Sequence, residues 1–275
     1  MIDALMHNFF LQMALLAAFL ASVMSGITGS YIVARRIVFI TGSIAHAVLG
    51  GIGLFVYLQY LTQNPFFSPL LGGILCAVMF GMTIGIIYLR FRQREDSVIA
   101  AIWSLGMAAG VVFIAVTPGT NAQLMNFLFG NILWASYFEI KFLFIFDLIL
   151  IALSLLCHKK FLAISFDETE CKLQKMPVYP LFFLLLSTVC ISVVLLVQIV
   201  GAILVISMLC LPAAISNLFT RKLSHMILLA IGFSILFSIA GITLSYLLNW
   251  PPGATIALFS TFAYFFALPL KARRV

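Results

Sequence analysis

Long apolar runs broken by short polar interruptions dominate the chain, and they set its secondary structure before anything else is considered. Apolar stretches lie near 9–33, 37–61, 69–90, 97–117, 137–157, 178–198, 200–218, 224–249 and 253–270. Nearly all are long enough to cross a bilayer, since about 20 helical residues span about 30 Å of hydrocarbon and only a helix satisfies its own backbone groups there. The pattern predicts an all-α, polytopic membrane protein of eight or nine transmembrane helices. The lower count applies if the short run at 200–218, one residue beyond the sixth, forms only a partial helix.

The first run is expected to stay in the protein: Met1–Asn8 carries no Lys or Arg, the run is too long for a signal peptide, and Asp3 is the one charge before it. Residues 1–275 read as a single transmembrane domain without an internal repeat. Within it, 158–177 reads as a polar loop and Asn121 to Ser136 as a short helix outside the membrane. Pairs of small residues at helical spacing, Gly81 with Gly85 and Gly106 with Gly110, predict close helix contacts.

Composition agrees with lipid as the principal solvent. Of 275 residues, 64% are apolar and 8% charged, against roughly 25% charged in soluble chains. The net charge of +7 is too sparse for a nucleic-acid groove, which needs a dense basic stripe. It informs topology instead. Every Lys and Arg except Lys141 follows an odd-numbered run: Arg35 and Arg36 the first, Arg90, Arg92 and Arg94 the third, Lys159, Lys160, Lys172 and Lys175 the fifth, Arg221 and Lys222 the seventh, and Lys271, Arg273 and Arg274 the ninth. By the positive-inside rule the N-terminus is expected outside and the C-terminus in the cytoplasm, which makes 158–177 a cytoplasmic loop.

The chemistry carried by the chain is sparse. The five cysteines, at 76, 157, 171, 190 and 210, are too scattered for a disulfide framework or zinc cluster. No metalloprotease, serine-hydrolase or P-loop signature occurs, so the chain is not expected to be an enzyme. Ionisable groups at membrane depth are functional-site candidates, and two stand out. His46 shares a helix face with Gly42, Gly50 and Gly53, which would let a neighbouring helix approach its imidazole or a pore open beside it. Imidazole ligates zinc, copper, iron and nickel and also passes protons; a packed, hydrogen-bonded histidine is the competing reading. Asp147 is either an ion or proton site or the partner of a neighbouring polar group.

Six fragments, in order, resemble the permease subunits of metal-type ABC importers. Tyr31 to Gly51 resembles the segment in which a double Arg precedes an Asp-x-x-x-His-Ala helix. Asp96 to Gly110 is similar to the family's fourth-span entry, and Leu124 to Leu133 carries a Leu-Phe-Gly element. Phe166 to Val178 resembles a loop that starts Phe-Asp and ends Pro-Val. Val200 to Ser216 carries Val-Gly-Ala-x-Leu and Leu-Pro-Ala-Ala, and Pro252 to Leu258 carries Gly-Ala-Thr-Ile. The resemblance implies a permease in the cell membrane that passes a divalent metal (zinc, manganese or iron) into the cytoplasm by alternating access. It further implies a cytoplasmic ABC ATPase that binds the ATP, an extracytoplasmic metal-binding protein, and a second permease copy or sister permease. No cofactor is expected on this chain.

On that resemblance His46 is the translocation-path ligand, with Ser43 and Asp147 as further polar candidates. The segment 211–226 is the ATPase-coupling element: Pro212 limits the preceding helix, and Ala213, Ala214, Ser216, Arg221 and Lys222 form a connector. The departures are specific. Gly42 stands where the family pattern has a carboxylate four residues before the histidine, Lys175 stands in place of Gly, and Asn131 in place of Asp. An ion-coupled transporter or channel relaying through His46 and Asp147 is the competing function, and a membrane scaffold without transport is a third.

Overall fold

The computed structural model describes residues 9–91, 95–119, 125, 127–130, 132 and 135–272, the side chains of 90, 91, 95, 96 and 270–272 excepted. Ten helices follow one another among them: α1 Phe9–Arg35, α2 Val38–Thr62, α3 Pro69–Phe91, α4 Glu95–Val116, α5 Tyr137–Phe166, the short α6 Glu168–Leu173, α7 Val178–Val200, α8 Ala202–Phe219, α9 Leu223–Leu248 and α10 Pro252–Ala272. All but α6 are long and apolar enough to cross a membrane, so the chain is an all-α polytopic membrane protein. The run at 200–218 forms a complete helix of 18 residues, Ala202–Phe219, which favours the count of nine.

The helices pack as two groups joined by α7. In one, α2 lies between α3 and α4; in the other, α1 packs against α5, α8 and α9, with α10 on α8 and α9. α7 touches members of both groups and its Leu196, Val197 and Val193 are fully buried. The predicted small-residue contacts form. A Cβ on Gly106 would come within 2.5 Å of the Ala47 Cα, and one on Gly81 within 2.3 Å of the Cys190 Sγ, so α4 lies directly on α2 and α3 on α7. Hydroxyls tie α1 to α9, with Ser22 and Ser238 Oγ 3.2 Å apart and Ser25 and Ser234 Oγ 3.0 Å apart.

The helix ends gather in two clusters. At one, Arg35 ends α1, donates 2.7 Å to the Ile164 carbonyl, pairs with Glu168 of α6 and lies 4.4 Å over the Phe182 ring. Among the described residues, Arg36, Lys159, Lys160, Lys172 and Lys175 also lie at this end, and the His158–Ser224 contact brings Arg221 and Lys222 to it. At the opposite end three glycines, each from a different family-like fragment, meet backbone to backbone. A Cβ on Gly130 would lie 2.2 Å from the Val200 carbonyl carbon, one on Gly201 2.3 Å from the Gly130 nitrogen, and one on Gly253 3.0 Å from the Phe129 oxygen. Gly130 and Gly201 also have positive φ, 72° and 83°, which L side chains resist.

Two sequence expectations need correction. The stretch 158–177 is mostly helical: α5 continues to Phe166, and Asp167 accepts backbone N–H bonds from Thr169 and Glu170 at 2.9 Å to start α6. Polarity ended the apolar run at His158, but a helix protruding from lipid needs no apolar surface. Pro212 likewise does not end its helix. It lies inside α8, where it removes one backbone donor and the remaining ladder and neighbouring helices hold the rest. The predicted helix at Asn121 to Ser136 falls largely outside the described residues; Met125 and Phe127–Phe129 within it are helical.

Candidate functional site

The α2–α4 crossing positions His46. With Gly50 and Gly53 seated on Gly106 and Gly110, no side chain separates the two backbones, and the imidazole one turn before Gly50 is brought flat against α4. It stacks on Trp103 with ring centroids 4.6 Å apart and planes 3° from parallel. The indole is held in turn, its Nε1 donating to the Met107 Sδ at 2.9 Å one turn along α4. The His46 Nδ1 is buried without a hydrogen-bond partner, whereas Nε2 is not enclosed. The face beside it, lined by Ala100, Trp103, Ser104, Met107, Ala108, Val111 and Val112, is an open depression on α4.

The other candidates fall elsewhere. Ser43 is completely buried and donates to the Ile99 carbonyl at 2.9 Å, which makes it a tie between α2 and α4. The Gly42 position is roomy, for a Cβ there would meet only the Ile206 Cδ1, at 3.9 Å. Asp147 lies on α5, whose neighbours are α1, α6 and α7, so it does not join His46. Among the described residues, no three His, Cys, Asp or Glu side chains group as a metal cluster.

Of the residues predicted to form the connector, Pro212, Ala213 and Ser216 are buried, and the Ser216 Oγ donates to the Pro212 carbonyl at 2.8 Å. Ala214 is half-buried, and Arg221 and Lys222 are exposed in the break between α8 and α9. The accessible surface there is thus smaller than the predicted connector, running from Asn217 to His225 with Leu223 turned inward.

Trp103 and Met107 were not singled out from the sequence. A signal was present: Trp103 precedes Gly106 by three residues and Gly110 by seven, which places it on the small-residue stripe where a neighbouring helix must pass.

A bundle of lipid-length helices with a half-open imidazole at a helix crossing and a basic, partly exposed stretch at one end is a multi-pass membrane protein. The family model described as the ABC 3 transport family matches residues 7–271, and the chain belongs to that family of metal-type ABC permeases of the bacterial plasma membrane. A probable metal transport system membrane protein of Chlamydia pneumoniae is 43% identical over 277 aligned positions, covering 99% of this chain and 94% of that protein. A manganese transport system membrane protein, MntC, of Listeria monocytogenes is 32% identical, covering 97% and 92%. Among solved structures, PsaBC from Streptococcus pneumoniae in complex with Fab superposes with a TM-score of 0.85 at 28% identity, covering 97% of this chain and 93% of the matched one.

Proposed function

We propose that this chain is the permease of an ATP-driven importer that moves a divalent metal ion, zinc, manganese or iron, into the cytoplasm. The observation that carries the reading is His46, clamped by Trp103 with Nδ1 inward at the edge of an open α4 face. A side chain fixed in this way presents one ring nitrogen to a passing cation, and a one-sided site of this kind is completed by a second permease copy or a sister permease laid against α4. The metal-transport names of the relatives support the cargo class. An extracytoplasmic binding protein delivers the metal, and the basic end faces the cytoplasm, as the distribution of Lys and Arg requires.

An ABC ATPase docks at that end. Asn217, Arg221 and Lys222 are the exposed contact residues on the break between α8 and α9, while Pro212, Ala213, Ala214 and Ser216 stiffen the helix that carries the movement. α8 spans the bundle from the glycine meeting point at Gly201 to this break, so ATPase motion reaches the opposite face through one element. The relay through His46 and Asp147 is disfavoured, because the helices that carry them, α2 and α5, do not pack against each other.

Reconstitution of the permease with its ATPase and binding protein into liposomes tests the reading. ATP-dependent uptake of one of the three metals, lost when the ATPase is inactivated, is the expected result. Uptake driven by an ion gradient in the permease alone would replace it with the secondary-transporter reading.

A further inference from the structure

A second polar constellation lies between α1, α5 and α7, away from His46. Asp147 is 3% exposed, and neither carboxyl oxygen has a hydrogen-bond partner. Two turns along the same face of α5, roughly 10 Å at 1.5 Å per residue, Ser154 begins a hydrogen-bonded row. Its Oγ lies 3.1 Å from the Tyr31 hydroxyl, that hydroxyl lies 3.2 Å from the His158 Nδ1, and the His158 Nε2 lies 3.0 Å from the Ser224 Oγ. Ser224 is exposed at the basic end. A cavity of about 10 Å³ at the inner end of the row is lined by Thr28, Tyr31, Ser154 and Thr188 among others, room for about one water.

We propose that Asp147 is a proton-binding site, filled from the basic end of the bundle along His158, Tyr31 and Ser154. A buried carboxyl needs a partner, and the packed helices offer no cation for it. On α1 the titratable groups are Tyr31, already in the row, and Arg35, which is engaged with Glu168 and the Ile164 carbonyl. α7 carries only Tyr179, at its start, and Cys190, whose Sγ faces Gly81 of α3. On α5 itself Glu139 and Lys141 lie two turns away toward the other end, and Cys157, His158, Lys159 and Lys160 lie ten residues or more away toward the basic end, where α6 adds Glu168, Glu170 and Lys172. A proton satisfies the carboxyl and leaves no net charge in the interior.

Every link in the row can both accept and donate. His158 accepts a proton at one ring nitrogen and releases one from the other, and the Tyr31 and Ser154 hydroxyls exchange one O–H for another. The cavity reaches Leu150, one turn short of Asp147, and the proton crosses that last turn when a second water enters beyond it. The net step breaks one O–H bond of a hydronium ion at the basic face, leaving water, and forms one O–H bond on the Asp147 carboxylate; release reverses it. The site shares no residue with the His46 route, so it stands whether or not the metal reading does.

Infrared spectroscopy of the full chain in lipid nanodiscs reads this directly. At neutral pH the carbonyl stretch of a protonated carboxylic acid is expected, lost in Asp147→Asn and shifting on transfer to D₂O. In Tyr31→Phe the band should persist but exchange at least tenfold more slowly, with His158→Gln slowing it too. Isotope labelling of Asp in the wild-type chain gives the assignment independently of whether the Asn variant folds. Absence of an Asp147-dependent acid band would overturn the site, and exchange as fast in Tyr31→Phe and His158→Gln as in wild type would overturn the route.

Discussion

One imidazole and the empty place before it set the chemistry of the proposed metal route. Gly42 occupies the position of the family carboxylate one helical turn from His46, and hard ions such as manganese prefer carboxylate oxygen to imidazole nitrogen. The site is therefore expected to favour zinc or iron over manganese. Restoring the acid tests this: a Cβ at Gly42 has no close neighbour, so Gly42→Asp should fold, and competition uptake assays should show its preference shifting toward manganese. His46→Ala should leave assembly intact while lowering uptake about tenfold or more, the scale expected when a metal site loses a ligand or its support. Trp103→Ala removes a stacking partner worth about 0.5–1.5 kcal/mol and should lower uptake several-fold through imidazole disorder. Equal uptake rates in wild type and His46→Ala would remove His46 from the route.

At the scale of elements, glycine contacts set helix positions. Gly106→Val would drive a branched side chain into the Ala47 backbone, 2.5 Å from even a bare Cβ. Overpacking of this kind costs about 1–3 kcal/mol, and a fall in melting temperature in detergent should report it. Gly232 in α9 is the control. Open space surrounds it, so Gly232→Ala is expected to hold or raise stability, by up to about 1 kcal/mol from helix propensity.

The same elements mark what could be read from the chain alone. Apolar length located every spanning helix, and small-residue spacing marked the faces of α3 and α4 where another helix comes close, though not that α7 and α2 are the helices that do so. The polarity that stopped the fifth run at His158 hid the continuation of α5 and with it the link from Tyr31 through His158 to Ser224, because partners so distant in sequence meet only in the folded bundle. Pro212 misled in the opposite direction, since tertiary packing around α8 outweighs the missing donor. Trp103 was an aromatic among many until its helix had a neighbour.

At the scale of the whole molecule, Arg35 fastens α6 and the ends of α1, α5 and α7 together. Its guanidinium uses two nitrogens on two partners and covers the Phe182 ring, a geometry that Lys cannot reproduce. Arg35→Lys and Arg35→Ala should both loosen this end, losing charged hydrogen bonds worth about 1.5–3 kcal/mol each when buried, with faster protease cleavage near α6 as the readout. If the ATPase docks at the same end, both variants should also weaken its retention during purification.

Whether the chain carries a divalent metal inward under ATPase control is decided by multi-element cell content measured by mass spectrometry. The host should lack its own high-affinity metal importers and express this permease with its ATPase and binding protein, beside an ATPase-dead control. Zinc, iron or manganese is expected to recover in the active system alone, with manganese recovering least. Equal content of all three metals in the active and ATPase-dead cells, with the complex verified as assembled, would contradict inward transport under ATPase control.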